Sequence, residues 1–388
     1  MRCLLITKEF SVTPTSGGML RTLALLEQLA GAYDTTLVSP DTVVRQGPGR
    51  PSSEVLTPPV VRSGPAVPSP VDDLRTAPTY RSISGVRIGG ARLLENLRRG
   101  ASGHYDVAVI DHTCLAGLAD SVAAGCDRLV VSMHNIESDL MAQRAASAGS
   151  ARSRVAMQAE THLLRRLEAH VSARWPVVVC TEADARALGP RSHAIVARNG
   201  VFAASPVASG SPDRERPPYS MVFSGALDWE PNIEGWRWFS EHCWPLVRAR
   251  LPGATATVAG RRPGPVVVEA CRPEGITLLP DPPVMATVLD AHALGIVPLL
   301  NGGGSRIKIL EYLAAGIDIV STDVGASGLE DVPDELIDRV PVDPQRFADQ
   351  VVRRLTEPRD ASVAAPDWVR KNYSWDVTLR PLLDFLQA

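Results

Sequence analysis

The chain has 388 residues, too many for one ordinary domain, so two domains of roughly 150–200 residues are expected. Apolar residues make up 45% and charged residues 21%, which excludes a disordered chain. The net charge of -3 offers no general attraction to nucleic acid.

Six cysteines are spread from Cys3 to Cys271 with no C-x-x-C pair. Such scatter reads as reduced, mostly buried thiols, not as a disulfide or zinc framework. The opening apolar run ends at Thr7-Lys8-Glu9, too short for a signal peptide, and no run of about 18 apolar residues follows. A soluble, cytoplasmic protein without a transmembrane segment is expected.

In chain order, short apolar runs alternate with helical patterns. The first expected strand, 4–6, leads through Ser16-Gly17-Gly18 into a helix over 19–30, where Met19, Leu23, Leu26 and Ala30 form one stripe. A strand at 36–38 precedes a Pro- and Ser-rich stretch, 40–79. That is longer than ordinary connections and reads as a mobile functional loop or partial disorder. Arg87, Arg92, Arg98 and Arg99 then lie on an amphipathic helix. Its basic face is either solvated or in weak peripheral contact with an acidic acceptor or a membrane surface. Strands at 107–110, 129–132, 177–180 and 194–196 complete the first half.

Residues 202–218 are rich in Pro and Ser and nearly free of large apolar side chains, which predicts a linker. The rhythm then repeats, with strands at 221–223, 255–259, 276–278, 294–298, 319–321 and 340–342. Trp368, Tyr373, Trp375, Leu379, Leu382 and Phe385 have helix-like spacing and predict a docked tail. Alternating strands and helices imply right-handed β-α-β units and parallel sheets. The expected organisation is a doubly wound α/β domain over 1–202, a linker over 203–218 and a second such domain over 219–365. A helix over 366–388 follows, crossing back to the first domain.

The segment with the most chemistry is Asn301-Gly302-Gly303-Gly304-Ser305-Arg306-Ile307-Lys308, which continues through Glu311 and Tyr312 to Gly316. Three glycines let backbone N–H groups approach a ligand, and a helix N-terminus suits phosphate. Arg306 and Lys308 sit in the first turn, where the helix dipole disfavours cations. A bound diphosphate reverses that sign and gives both a partner. Glu311, one turn on, is placed to accept from a ribose hydroxyl.

This segment resembles the donor-binding motif of retaining family-4 glycosyltransferases with the GT-B fold. Four further stretches are similar to family positions: Val222 to Asn232, Val258 to Pro263, Asn199-Gly200-Val201 and Ser321 to Leu329. Together they span nearly the whole chain. The resemblance implies two facing Rossmann-like domains, with the nucleotide sugar bound mainly by the second and the acceptor by the first. It also implies retention of configuration without a DxD-bound metal, and the sequence contains no D-x-D.

The donor contacts so implied are Gly17, Gly18, Gly225, Gly302, Gly303, Gly304, Ser305, Arg306, Lys308 and Glu311. Ser132 to Glu137 is similar to the family's histidine loop, which adds His134 to Arg306 and Lys308 as catalytic groups. His112 and Asn135 are the acceptor-side candidates. No cofactor and no metal are expected, and a metal site from His112, His134 and Glu137 is set aside because the mechanism asks for none. The donor is a nucleotide-diphosphate sugar, UDP or GDP by family habit. The acceptor is a small molecule or glycan: a bacterial polysaccharide, a lipid-linked sugar or a secondary metabolite.

Two departures stand out. Gly303 occupies the place where many members carry a glutamate. The turn that often holds a phosphate-gripping Arg and Lys offers Ala226 and Asn232, so Arg306 and Lys308 are expected to take over that duty. Two other readings are a sugar-nucleotide epimerase or hydrolase using His112, His134 and Glu137, and a non-catalytic nucleotide-sugar-binding protein.

Overall fold

The computed structural model describes residues 1–48, 54–57, 70–202, 216–359 and 364–388, with backbone alone at 54–57 and 70–74. Most of the expected linker, at 203–215, lies outside the described residues, as do 49–53 and 58–69 of the irregular stretch. The chain forms two compact units. One comprises Met1–Pro14, Gly18–Arg198 and Leu379–Ala388; the other comprises Thr15–Gly17 and Asn199–Thr378.

In the first unit the strands are β1 (Arg2–Ile6), β2 (Asp34–Val38), β3 (Val43–Gln46), β4 (Glu54–Thr57), β5 (Tyr105–Asp111), β6 (Cys126–Ser132), β7 (Val177–Val179) and β8 (Ala194–Val196). They line up as β4-β3-β2-β1-β5-β6-β7-β8. From β2 to β8 all neighbours are parallel. Leu5, Ile6, Val109, Ile110, Val130 and Val131 are fully buried, as a parallel sheet covered on both faces requires. The helix Gly17–Ala32 buries Leu25, Leu26 and Leu29.

The antiparallel strands β3 and β4 were not expected, and their cause is local. The Ser39 N–H donates to Thr42 O at 2.9 Å, while the Ser39 hydroxyl accepts from the Thr42 N–H at 3.0 Å. This serine turn reverses the chain and brings Val43 beside Val38. The arginine-rich stretch forms two helices, Ile83–Ile88 with Arg87 and Gly90–Gly100 with Arg92, Arg98 and Arg99. They break at Gly89, where a Cβ would lie 2.5 Å from the Tyr80 hydroxyl. Arg92 pairs with Asp41 at 3.2 Å and Arg99 with Glu95 at 2.7 Å, so the basic face is partly neutralised.

In the second unit β9 (Ser220–Ser224), β10 (Thr255–Gly260), β11 (Ile276–Pro280), β12 (Leu294–Val297), β13 (Asp318–Thr322) and β14 (Asp338–Val340) form a parallel sheet of order β11-β10-β9-β12-β13-β14. The last strand lies two residues earlier than its apolar run suggests, because Pro341 has no N–H to continue the ladder. Phe223, Trp236, Phe239 and Phe347 make a chain of ring contacts at its core.

The tail does not return as one piece. Helices Ala364–Tyr373 and Trp375–Thr378 stay in the second unit, and the return begins at Leu379. The helix Arg380–Gln387 is held on the first unit by the Arg128 guanidinium, which donates to Phe385 O at 3.0 Å and Leu386 O at 2.7 Å. Among the described residues no helix is long and apolar enough to cross a membrane.

Each sheet reverses its strand order once, between β1 and β5 and between β9 and β12. Ligand crevices of open α/β sheets lie at the carboxyl ends of such strand pairs. Those two places hold most of the residues picked out in the sequence.

Candidate active site

At the carboxyl end of β9 the chain turns at Gly225, whose φ of 145° suits only glycine. A Cβ there would lie 2.8 Å from Asn232 Nδ2 and 3.1 Å from Lys308 Nζ. The neighbouring turn after β10 approaches so closely that a Cβ on Gly260 would lie 1.7 Å from Gly225 O. Two glycines thus open the floor on which the Lys308 ammonium rests.

The loop after β12 carries Gly302 at φ 127° and Gly304 at φ 67° before the helix Ile307–Ala314. The Asn199 carboxamide donates to the Ser305 hydroxyl at 3.1 Å and fixes the end of the loop. Arg306, 5% exposed, is the residue preceding the helix. Its guanidinium donates back to Gly303 O and Gly304 O and lies 5.8 Å from the Trp229 ring centre. The Asn301 carboxamide donates to the Glu234 carboxylate.

Lys308 is 9% exposed. Its ammonium donates to Asn232 Oδ1 at 2.8 Å and stands 4.2 Å from the Phe223 ring centre. Asn232 is itself held by donation from Nδ2 to Ala226 O at 2.8 Å. Burial, together with the Arg306 charge, pushes the Lys308 pKa down to about 7, with a smaller opposing pull from Glu311. Burial pushes Glu311 up to about 7, partly offset by Lys308. No ion pair joins Lys308 to Glu311 among the described residues.

Tyr312 shares the wheel face of Lys308 but turns into the core. Its hydroxyl accepts from the Ser224 N–H at 2.8 Å and from the Ser224 Oγ–H at 3.0 Å. A Cβ on Gly295 would lie 2.3 Å from its ring, so β12 packs flat against it. Tyr312 therefore sets the helix against the ends of β9 and β12. Gly17 belongs to this unit, and a Cβ on it would lie 3.2 Å from Ile307 Cδ1.

In the first unit, β5 and β6 pair so that Asp111 lies opposite Ser132. This brings the fully buried Asp111 carboxylate to His134, whose Nε2 donates to it at 2.7 Å. The Thr22 hydroxyl also donates to Asp111 at 2.7 Å. Burial raises the Asp111 pKa, but the two histidines and these hydrogen bonds outweigh it and hold the carboxyl well below its usual range.

His112 adopts φ 88° and lies against His134 with ring centres 3.8 Å apart and ring planes tilted by 34°. It is 4% exposed, and its Nε2 has no hydrogen-bond partner among the described residues and lies 3.6 Å from Asp111. Burial and the surrounding cations Lys8 and Arg21, with His134, hold it neutral, well below its usual pKa. Such strain on a non-glycine residue at a sheet's carboxyl edge is typical of functional positions.

Gly18 lies against both rings: a Cβ would be 3.5 Å from His112 Cε1 and 3.8 Å from His134 Nδ1. Asn135 enters through its carbonyl, which accepts from the Thr113 hydroxyl at 3.3 Å. The ligand-type atoms of Asp111, His112 and His134 lie within 4.8 Å of one another; Glu137 is not in that group.

Sequence reasoning named Asn232 only as a residue standing where a phosphate-gripping cation is often found. It gave no role to Asn199, Trp229 or Thr22.

Residues 218–357 match the family described as Glycosyl transferases group 1. An uncharacterized 44.6 kDa protein from the cps region of Klebsiella pneumoniae is 26% identical over 117 residues, 28% of this chain and 30% of that protein.

Among solved structures, a sucrose-phosphate synthase from Thermosynechococcus elongatus superposes with a TM-score of 0.69 at 13% identity, covering 100% of this chain and 99% of the other. A UDP-forming α,α-trehalose-phosphate synthase from Burkholderia xenovorans, in complex with glucose-6-phosphate, gives 0.66 at 14% identity over 100% of both chains. The catalytic domain of starch synthase IV from Arabidopsis thaliana, bound to ADP and acarbose, gives 0.60 at 13% identity over 99% and 98%. The chain has the GT-B fold of these proteins, with two Rossmann-like units. The residues that match the group 1 family lie within its second unit.

Proposed function

We propose that the chain transfers a glycosyl group from a nucleotide-diphosphate sugar to an acceptor hydroxyl, with retention of configuration and without a metal ion. The observation that carries this reading is the buried Lys308 ammonium with neutral partners, beside Arg306 and the start of a helix. Among the described residues no carboxylate forms an ion pair with it, and a diphosphate supplies a close anionic partner. The acceptor oxygen bonds to the anomeric carbon as the bond from that carbon to the diphosphate oxygen breaks. The nucleoside diphosphate leaves with the electron pair, and the hydroxyl proton leaves with it.

Arg306, Lys308, Ser305 and the N–H groups of Gly302, Gly303 and Gly304 stabilise the departing charge. Gly225, Gly17 and Gly18 supply close approach for the donor. His134, held by Asp111, faces the transferred sugar, and His112 with Asn135 serves the acceptor. The donor is a UDP- or GDP-sugar. The acceptor is a glycan, a lipid-linked sugar or a secondary metabolite in the bacterial cytoplasm, reached with weak peripheral membrane contact at most.

A panel of UDP-, GDP-, TDP- and CMP-sugars, scored for nucleotide release with and without acceptor, tests this. Release coupled to acceptor glycosylation is expected. Epimer formation without acceptor, or binding without turnover, would overturn it. Transfer is expected to survive EDTA, because side-chain cations and backbone donors neutralise the diphosphate. Complete loss, restored by Mg²⁺ or Mn²⁺, contradicts that.

Glu311 lies one turn after Lys308, where a ribose would fall. Glu311→Gln is expected to lose about 1–2 kcal/mol of donor binding, since a hydroxyl-to-carboxylate bond becomes an ordinary one. A merely helical Lys308–Glu311 contact would cost only about 0.2–0.5 kcal/mol of stability. Donor affinity and melting temperature measured on the same variant separate the two.

A further inference from the structure

We propose that the first unit binds an amphiphilic anion, a single alkyl or prenyl chain ending in an anionic head, in a hollow between helices Ile83–Ile88 and Ala151–Ser172. The hollow has a volume of about 560 Å³, within the range that takes a ligand of this size. Its wall is apolar, built from Pro78, Ile83, Val86, Leu163 and Leu167. Ile83 is 39% exposed and Leu163 37%, although both are large aliphatic residues that gain from cover.

The rim carries the guanidinium groups of Arg81 and Arg166, with His170 beside them. Two carboxylates stand nearby, and both are already engaged. Asp120 accepts from Arg81 at 3.1 Å and from His170 at 3.2 Å. Glu160 accepts from the N–H groups of Ile83 and Ser84 at 2.9 Å each, capping the short helix. Arg166 pairs with no carboxylate among the described residues, and Arg174, 3.4 Å from His170, adds a further cation. Arg81 is held at φ 59°, a strained conformation that fixes its place on the rim.

An apolar wall with surplus positive charge at its mouth selects a chain with an anionic head. A neutral lipid leaves the charge unanswered, and a small anion leaves the wall wet. The feature is separate from the Asp111 cluster and from the glycine loop, none of whose residues line it.

Calorimetry of the full chain with monomeric dodecyl phosphate tests the assignment. Saturable one-to-one binding is expected, with dodecanol and inorganic phosphate each at least ten-fold weaker. Leu163→Asp and Arg166→Glu alter exposed positions, so both variants are expected to keep the parent melting temperature while each weakens dodecyl phosphate at least ten-fold. A nucleoside diphosphate is expected not to compete, which separates this hollow from the donor loop. No saturable binding, equal affinity for dodecanol, unchanged affinity in both variants, or competition by the nucleoside diphosphate would each overturn the proposal.

Discussion

Lys308→Ala is expected to weaken binding of a free nucleoside diphosphate by roughly 10–150-fold, the equivalent of about 1.5–3 kcal/mol for a lost charge-assisted hydrogen bond. The side chain is buried and held at a single point, so little solvent screens it. Truncation also strands the Asn232 carbonyl oxygen, whose partner it is.

The same residue predicts a pH dependence. In the empty site its pKa lies at about 7, lowered by burial and by Arg306. A diphosphate needs the charged form, so affinity is expected to fall as pH rises past 7, with one proton taken up per ligand bound at higher pH. The stability of the empty protein moves the other way. The unfolded chain keeps this lysine protonated up to its ordinary range near 10.5, so it binds more protons between about 7 and 10.5, and stability rises with pH there. Glu311, raised to about 7, works oppositely: the folded protein binds more protons between about 4.5 and 7, and stability falls across that window. Titration calorimetry in buffers of different ionisation enthalpy reads the proton uptake directly. Unchanged diphosphate affinity in Lys308→Ala would falsify the phosphate assignment.

The second large effect is expected at Asp111. Asp111→Asn keeps the shape but replaces a carboxylate that accepts from both His134 and Thr22. The amide keeps one acceptor oxygen and puts an NH2 donor where the other stood, so it cannot accept from both His134 and Thr22, and the hold on the tautomer and orientation of His134 is weakened. Misplacement of a group at the reacting centre typically costs about 100-fold in turnover, and a buried donor without a partner costs about 1–3 kcal/mol of stability. Nucleoside-diphosphate affinity, which we propose rests on Lys308 and Arg306, is expected to stay within two-fold of the parent, so the loss falls on kcat. Parental turnover in this variant would remove His134 and Asp111 from the reaction.

What the sequence disclosed and what it withheld follow from separation along the chain. The glycine loop, Arg306, Lys308 and the start of their helix lie within eight residues, so spacing alone was enough to pick them out as a candidate site. The partner that holds Lys308 is 76 residues away, and the serine that anchors Tyr312 is 88 away. No periodicity reports such pairs; only the parallel register of β9 and β12 brings them together. Asp111 is a similar case. As a strand end it carries no signal, and its role arises because β5 and β6 pair in a register that sets it beside the loop of His134. The unforeseen strands β3 and β4 have a different cause. Four-residue runs are too short to show alternation, and the Ser39 turn that creates them sits inside a stretch dominated by Pro and Ser.

The placement of Leu379–Ala388 bears on how the chain is made. Apart from Thr15–Gly17, the second unit is one continuous segment, Asn199–Thr378, set into the first. Near its start, Val201 forms an isolated parallel bridge with Ser374, close to its end. Emerging from a ribosome, the first unit therefore waits with Arg128 and the Tyr33 hydroxyl unanswered until the whole inserted segment has been synthesised and Phe385 and Leu386 arrive. The inserted segment needs no such wait, because every strand of its sheet is already present. Folding order is thus expected to invert gene order, with the later-encoded unit reaching its native state before the earlier one is sealed.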